Sequence, residues 1–368
     1  MIFCEACFQD EEIKSIIRSA SIMAKGECPT CHHKNVQLYD SSKQMDLTPY
    51  FEDLLNVYTP VSSLPDSYPR AECRNLIDEL LSRWKIFSDK VSRTQIDGIL
   101  HAICSETLMN VPSLMNEMVG IPELYDVEYL KDHALLKNND WDAFVNEIKT
   151  KNRFHSKLIN FDILERYCTF IRKTYKAGHC FYRARISENC GYPPNEMSAP
   201  PPGKSSEGRA NARGITCLYL ASDQDTTLHE VRAGVFDFVS IGKFQLKRDI
   251  TVANLRAISK LSPFIENLDC LDHAINLQHL EKINSEMSKS LRRSDSTLDY
   301  VPTQYIVDFI KSIEHDSKQE YDGIEYYSTT NPSGYNLAIF DPELFECISV
   351  ETYNIKKLDY SKVMVECD

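Results

Sequence analysis

The chain has 368 residues, of which 42% are hydrophobic, enough to build ordinary globular cores. Its 54 acidic residues outnumber its 41 basic ones, and the formal net charge of -13 argues against bulk binding to nucleic acids or to anionic membranes. Any anion-binding site is therefore expected to be a local basic pocket.

The sequence has neither a membrane-spanning run of about 18 apolar residues nor an opening typical of a secretory signal. The first residues, "MIFCEACFQDEE", lack the basic start and the apolar middle of such a signal. We therefore expect a cytoplasmic protein. Thirteen cysteines without an export signal favour metal binding or buried thiols over a disulfide framework.

Four cysteines near the N-terminus have the spacing of a zinc ribbon. Cys4 and Cys7 are separated by two residues, and so are Cys28 and Cys31. Each pair places two thiolates on a tight turn, and two pairs complete a closed tetrahedral zinc site with no open position for catalysis. We predict a structural zinc site that stabilises residues 1–42, a segment too small to build its own core. A ribbon can also present loops to a partner.

Residues 43–175 are predicted to form a helical domain. In "YPRAECRNLIDELLSRWKIF" the apolar residues recur at spacings of three and four, and "WDAFVNEIKTKNRF" and "FDILERYCTFIRKTY" repeat the pattern. In "RKTYKAGH", Arg172 and His179 have a spacing loosely compatible with a helical ribonuclease. Gly178 favours a helix end followed by a strand, so a nuclease is the weaker interpretation.

After Gly178 the pattern changes to strands and loops. "CFYRARIS" alternates apolar and polar residues like a half-buried strand, which places its two arginines on one face. A long loop rich in Pro, Gly and Ser follows, and "ITCLYLAS" is predicted as a second strand. Ser222 and Asp225 predict a capping box that starts the helix "DQDTTLHEVRAGV", on which Glu230 points away from the apolar face.

Five segments then occur in the order found in RES-domain proteins, a family named for its Arg, Glu and Ser. They are "FYRARIS", "GRANARG", "LYLASDQDTTLHEVR", "PTQYIVDFIK" and "DGIEYYSTTNPSGYNLAIFD". The chain resembles this family over roughly residues 178–345, and its N-terminal part resembles the helical domain sometimes fused ahead of RES domains. The resemblance implies an ADP-ribosyltransferase-like fold with a twisted mixed or antiparallel sheet around a cleft. We therefore expect an α+β protein with a zinc ribbon, a helical domain and a RES catalytic domain over residues 176–368.

The resemblance also assigns site residues. It makes Arg183, Glu230 and Ser328 catalytic, and it makes Arg209, Tyr219 and Asn336 the residues that bind NAD. The alternative for Tyr219 is a core tyrosine, and the alternative for Ser328 is a serine that caps a turn. One departure is Ala210, which stands where the family prefers an aromatic residue, so ring packing at this loop is in doubt. The helical stretch "LDHAINLQHLEKINSEMSKSLRR" looks longer than in the minimal domain and is a lid, a partner surface or inert.

The residue types fit cleavage of the bond between nicotinamide and ribose. Cleavage leaves positive charge on the sugar, which a carboxylate stabilises, and guanidinium groups match the oxygens of a diphosphate. Hydrolysis, phosphorolysis and ADP-ribosyl transfer all stay open. We expect a toxin-like enzyme with NAD as its substrate, in a bacterial toxin–antitoxin or anti-phage defence setting.

The N-terminal part is expected to regulate the activity of the RES domain or to sense a trigger. An antitoxin, a trigger protein and a homo-oligomer are all compatible with the sequence. The alternative function is a non-catalytic nucleotide-binding protein whose zinc module recruits a partner.

Overall fold

The structure is a computed structural model and describes residues 1–289, 296–331 and 333–358. Short helices and a large C-terminal sheet make up these residues, which confirms the predicted mixture of α and β elements. Within this described part of the chain, no helix is long and apolar enough to cross a membrane.

The chain divides into two compact units. The first consists of Met1–Asn139 and Leu261–Leu277, and the second of Asp140–Lys260 and Gln278–Asp368. The first unit thus contains the cysteine-rich segment together with most of the predicted helical region. The three predicted domain ranges stay a prediction.

The first unit combines a small ribbon with short helices. Its strands are β1 (Ile2–Cys4), β2 (Leu38–Asp40), β3 (Thr59–Pro60), β4 (Arg74–Asn75) and β5 (Met118–Gly120). Strands β1 and β2 pair antiparallel, and the other three form a sheet in the order β3–β5–β4. Its helices are α1 (Glu11–Ala20), α2 (Thr48–Leu55), α3 (Leu76–Ser82), α4 (Arg93–Ile103), α5 (Ser105–Asn110), α6 (Ser113–Asn116) and α7 (Val127–His133).

A continuous hydrophobic core joins the ribbon of the first unit to its helices. Phe8 lies between Phe3, at 5.8 Å between ring centroids, and Phe87, at 5.2 Å. Leu76 and Leu80 of α3 are fully buried in the same core, as their helical spacing predicts. The ribbon therefore shares its core with the helices that follow it.

The second unit is built on an eight-stranded mixed sheet. Its helices are α8 (Trp141–Thr150), α9 (Phe161–Phe170) and α10 (Gln224–Glu230), followed by α11 (Cys270–Ser288), which contributes residues to both units, and by α12 (Val301–Ser312). Its strands are β6 (Arg172–Tyr175), β7 (Cys180–Ser187), β8 (Leu218–Ala221), β9 (Phe238–Leu246), β10 (Ile250–Asn254), β11 (Glu314–His315), β12 (Lys318–Gln319), β13 (Gly323–Tyr327), β14 (Tyr335–Ile339) and β15 (Phe345–Asn354).

The strand order of this sheet is β15–β9–β7–β8–β14–β13–β10–β6. Strands β10 and β13 run parallel, and the other neighbouring pairs run antiparallel. The central strands are buried on both faces, with Ile324, Leu337 and Ile339 fully buried. Side chains that project from the ends of β13 and β14 are therefore attached to a rigid support.

The predicted helix over "FDILERYCTFIRKTY" ends earlier than expected. Helix α9 stops at Phe170, and the following residues form β6, which pairs with β10 at the edge of the sheet. Gly178, with a φ of 87°, makes the turn between β6 and β7. Because Arg172 lies on a strand, it does not share a helix with His179, and the spacing of a helical nuclease is absent.

The predicted start and end of the helix that carries Glu230 are also corrected. Asp223, not Ser222, caps α10: the Asp223 side chain accepts a hydrogen bond from the backbone N–H of Thr226 at 2.7 Å. The helix ends at Glu230 instead of continuing to Val235, because Arg232 adopts a left-handed φ of 51°. Glu230 is therefore the last helical residue.

Candidate active site

A cleft of about 530 Å³ opens in the second unit, a volume typical of small-molecule sites. Its walls come from β7, β8, α10, β13 and β14 and from the loops that precede β8 and α12. Five of the six predicted site residues line it directly: Arg183, Arg209, Tyr219, Glu230 and Asn336. The sixth, Ser328, reaches the cleft through Glu230.

The carboxylate of Glu230 is held by one of its two oxygens. Ser328 Oγ donates to Glu230 Oε1 at 2.6 Å, Asn336 Nδ2 donates at 2.9 Å and Thr330 Oγ1 at 3.4 Å. No described residue donates to Oε2. The first oxygen therefore fixes the orientation of the carboxylate, while the second is available to a ligand hydroxyl or to positive charge on a ligand.

Ser328 holds the turn after β13 as well as Glu230. Its Oγ accepts hydrogen bonds from the backbone N–H groups of Thr330 at 3.3 Å and Asn331 at 3.1 Å. The turn fixes the hydroxyl so that its proton points at Glu230. The two alternatives for this serine, turn cap and site residue, are thus combined in one side chain.

Asn336 lies on β14, in register with Tyr326 of β13 and Ala221 of β8. Its side chain is buried, with 4% of the residue exposed, whereas Glu230 is exposed. A buried amide on a central strand loses little freedom when it donates to the carboxylate. The sheet thereby fixes the position of a residue at the end of a short helix.

Arg183 on β7 lines the cleft and has no ion pair with a described residue. Its Nη1 donates to the carbonyl oxygen of Tyr219 at 3.4 Å, and its buried Nε has no hydrogen-bond partner among the described residues. Burial, with repulsion from Arg185, lowers the pKa of Arg183 to about 10, so it is still charged at neutral pH. A partly buried cation without a carboxylate partner among the described residues is costly, and an anionic ligand would compensate for that cost.

Arg209 lines the cleft and is held by two backbone carbonyls. Its Nη1 donates to the carbonyl oxygen of Glu286 at 2.7 Å, and its Nη2 donates to that of Lys289 at 2.6 Å. These carbonyls belong to the C-terminal end of α11, where the helix dipole is negative. Because a guanidinium has five N–H donors, three remain for a ligand. Its role in binding NAD stays a prediction.

Tyr219 supports the loop that carries Arg209. Its hydroxyl donates to Asn211 Oδ1 at 2.6 Å and accepts from the backbone N–H of Ala210 at 3.0 Å. Burial raises the pKa of Tyr219 well above its usual value, so the hydroxyl keeps its proton. Ala210 is itself buried, with 4% exposed. Tyr219 therefore lines the cleft and also shapes the loop.

Gln304, which the sequence interpretation did not assign, fixes the same loop from α12. Its Nε2 donates to the carbonyl oxygens of Gly208 at 2.8 Å and Asn211 at 2.9 Å. A Cβ atom at Gly208 would lie 2.5 Å from the Tyr219 hydroxyl, so the loop also requires glycine at this position. The segment "PTQYIVDFIK" contains Gln304, but its pattern predicts only a helix.

The four predicted metal ligands come together in the first unit. Their Sγ atoms all lie within 4.8 Å of one another, with 3.9 Å between Cys4 and Cys7, 3.5 Å between Cys4 and Cys31 and 3.8 Å between Cys7 and Cys28. Tetrahedral zinc with Zn–S bonds of about 2.3 Å requires sulfur atoms about 3.8 Å apart. The donor set and its spacing fit a metal ion with four thiolate ligands.

Comparison with known families gives a match in the C-terminal part of the chain. A family model for the RES domain matches residues 181–360. The match begins at the second residue of β7 and covers the strands of the eight-stranded sheet other than the edge strand β6, together with all six residues predicted for the cleft. A search of curated proteins gave no match.

Proposed function

We propose that this chain, whose residues 181–360 are a RES domain, cleaves the bond between nicotinamide and ribose in NAD. The observation that carries the proposal is the arrangement of Glu230, whose Oε1 is held by Ser328 and Asn336 while Oε2 receives no hydrogen bond from a described residue. Cleavage of the nicotinamide–ribose bond requires a fixed carboxylate for the developing cationic sugar and a guanidinium for the diphosphate, and Glu230 and Arg183 line the same cleft.

The carboxylate acts on the developing positive charge of the ribose. As the C–N bond breaks, its electron pair leaves with nicotinamide, which departs as a neutral molecule, and the sugar becomes oxocarbenium-like. Oε2 of Glu230 stabilises this charge or accepts a hydrogen bond from a ribose hydroxyl. Ser328 and Asn336 act as positioning residues, because they keep Oε1 fixed throughout the reaction.

The two arginines bind the anionic part of the substrate. Arg183 offers a buried Nε that has no partner among the described residues, and Arg209 retains N–H groups that the α11 carbonyls do not use. Guanidinium groups bind phosphate oxygens with better geometry than an ammonium group does. The acceptor that captures the ribosyl group is water, phosphate or a protein side chain, and the products distinguish these reactions.

The proposal includes a structural zinc ion bound by Cys4, Cys7, Cys28 and Cys31. The ion would hold the two ends of the ribbon together and supply no catalytic step, because four thiolates leave no open coordination position. The N-terminal part would then regulate the RES domain in response to a trigger, and an antitoxin would restrain it.

The test is release of nicotinamide from NAD by the purified full chain, measured by chromatography with and without inorganic phosphate. We expect Glu230→Gln to lower the rate by at least about a hundredfold, the usual effect of removing a main electrostatic group. Asp225→Asn is the matched control, because Asp225 is an exposed acid on the same helix and does not line the cleft.

Three results would count against the proposal. Equal rates in wild type and Glu230→Gln would remove Glu230 from the reaction. Equal losses in both variants would indicate a general effect on α10. Binding of NAD without nicotinamide release, with phosphate present, would favour the alternative of a non-catalytic nucleotide-binding protein.

A further inference from the structure

A groove of about 670 Å³ lies in the first unit, and the proposed NAD chemistry does not use it. We call it the acidic groove. Its walls are formed by α2 and the residues up to Thr59, by Glu123, by the loop over residues 263–269 and by the first two residues of α11. None of the residues that line it belongs to the zinc ribbon.

The floor of the acidic groove is apolar and well packed. Phe264, with 4% exposed, packs on Phe51 at 5.2 Å and on Tyr50 at 6.4 Å between ring centroids. Val57 and Leu268 add buried aliphatic surface. This floor can therefore bury an apolar side chain of a ligand.

The wall over residues 263–269 is already shaped by its own hydrogen bonds. The backbone N–H of Phe264 donates to Ser262 Oγ at 3.1 Å, and that of Leu268 donates to the Ile265 carbonyl at 3.1 Å. Cys270 Sγ donates to the Pro263 carbonyl at 3.3 Å. A preformed wall loses little conformational entropy of its own when a ligand binds.

The rim of the groove carries four carboxylates and no basic residue. They are Asp53, Glu123, Glu266 and Asp269. The first three have no hydrogen bond or ion pair with a described residue, and Asp269 accepts from the backbone N–H of Asp272 at 2.8 Å. With no basic residue on the rim, these charges create a local negative potential that attracts cations.

The thiol beside the rim does not make this a reactive site. Burial, together with the nearby Asp53 and Asp269, raises the pKa of Cys270 to about 12, so the thiol stays protonated at neutral pH. Among the described residues, the only group that satisfies a metal-ligand geometry is the Cys4–Cys31 cluster. Apolar contact combined with cation attraction is the chemistry that this groove offers.

We infer that the acidic groove docks a basic segment of a partner polypeptide. An apolar side chain of that segment would lie on Phe264, and flanking Lys or Arg side chains would reach the carboxylates of the rim. The volume suits a few side chains rather than a folded domain. This inference does not depend on NAD chemistry, since none of the residues that line the groove also lines the cleft.

The experiment measures binding of fluorescein-labelled peptides to the full chain by anisotropy at low ionic strength. The basic probe has the sequence KRFLKR, and a second probe, KRSSKR, keeps the charge but lacks the apolar pair. The groove variant is Asp53→Lys with Glu266→Lys. The matched control is Asp66→Lys with Glu106→Lys, which changes the net charge equally at exposed acids of the first unit that do not line the groove.

We expect KRFLKR to bind the wild type and the control variant with similar affinity, and the groove variant about tenfold or more weakly, because two attractions become repulsions. We expect KRSSKR to bind the wild type at least about fivefold more weakly than KRFLKR, because it cannot use the floor. A melting curve of each variant checks that it is folded.

Other outcomes would overturn the inference. An equal loss in the control variant would reduce the effect to net charge. Equal binding of KRSSKR would indicate a site for small cations. No binding of KRFLKR to the wild type would show that the groove does not bind a basic segment with an apolar side chain.

Discussion

Replacing Ser328 with alanine tests whether Glu230 acts through its fixed orientation. The lost hydrogen bond joins a neutral hydroxyl to a carboxylate at 2.6 Å. Hydrogen bonds to charged groups contribute about 1.5–3 kcal/mol, which corresponds to a fall of roughly 10- to 150-fold in kcat/KM if the bond persists in the transition state. Because Asn336 still donates to the same oxygen at 2.9 Å, we expect the lower half of that range.

The assay is nicotinamide release by Ser328→Ala, Asn336→Ala and the double variant. Since both side chains hold Oε1, the double variant should lose less than the product of the two single losses, a coupling of about 0.5–3 kcal/mol. Ser328 also accepts hydrogen bonds from the turn, so Ser328→Thr, which keeps an Oγ for the turn and for Glu230, is the rescue control and should recover most of the lost rate. A Ser328→Ala enzyme within twofold of wild type would refute the role of the fixed carboxylate.

Three further predictions follow from the same contacts. Cys28→Ser should abolish stoichiometric zinc in elemental analysis and destabilise the first unit, whereas Cys104→Ser, which alters a buried thiol outside the cluster, should keep the metal. Tyr219→Phe should raise the KM for NAD several-fold with a smaller change in kcat. It should also lower the free energy of unfolding by about 1–3 kcal/mol, because Ala210 and Asn211 lose their hydrogen-bond partner. An unchanged KM would show that Tyr219 is only a core residue. Burial lowers the pKa of His273 to about 4, so His273 is protonated at a lower pH in the folded state than in the unfolded state. The free energy of unfolding should therefore drop by about 3 kcal/mol between pH 6.5 and 4, and urea titrations should show a weaker dependence in His273→Gln.

The parts of the fold that local patterns specify were predicted well. Alternation in "CFYRARIS" predicted β7 at Cys180–Ser187, and the paired cysteines predicted the cluster of four thiols that could hold a metal ion. The end of α9 was predicted wrongly, because Arg172–Tyr175 has helix-compatible residues and becomes a strand only by pairing with β10, more than seventy residues later. Tertiary pairing outweighs the weak helical preference of such a short segment.

In the site, too, the sequence predicts individual residues, whereas the contacts between them depend on the folded sheet. The resemblance assigned Glu230, Ser328 and Asn336, but only the sheet brings together residues that are 98 and 106 positions apart in the chain. Gln304 was missed because its two hydrogen bonds are to backbone carbonyls of the Arg209 loop, and no sequence pattern marks a side chain that recognises a backbone.

The placement of Arg209 also bears on the long stretch between Glu230 and Ser328, for which a lid, a partner surface and an inert insertion were all open. The carbonyls of Glu286 and Lys289 at the end of α11 accept hydrogen bonds from both terminal nitrogens of Arg209. Two such bonds to a guanidinium fix its plane as well as its position. The described part of this stretch is therefore not inert, since it determines where a residue of the cleft points, although residues 290–295 lie outside the described chain. If Arg209 binds the diphosphate, the orientation of its remaining donors is set by α11, and the affinity for NAD depends on the end of that helix.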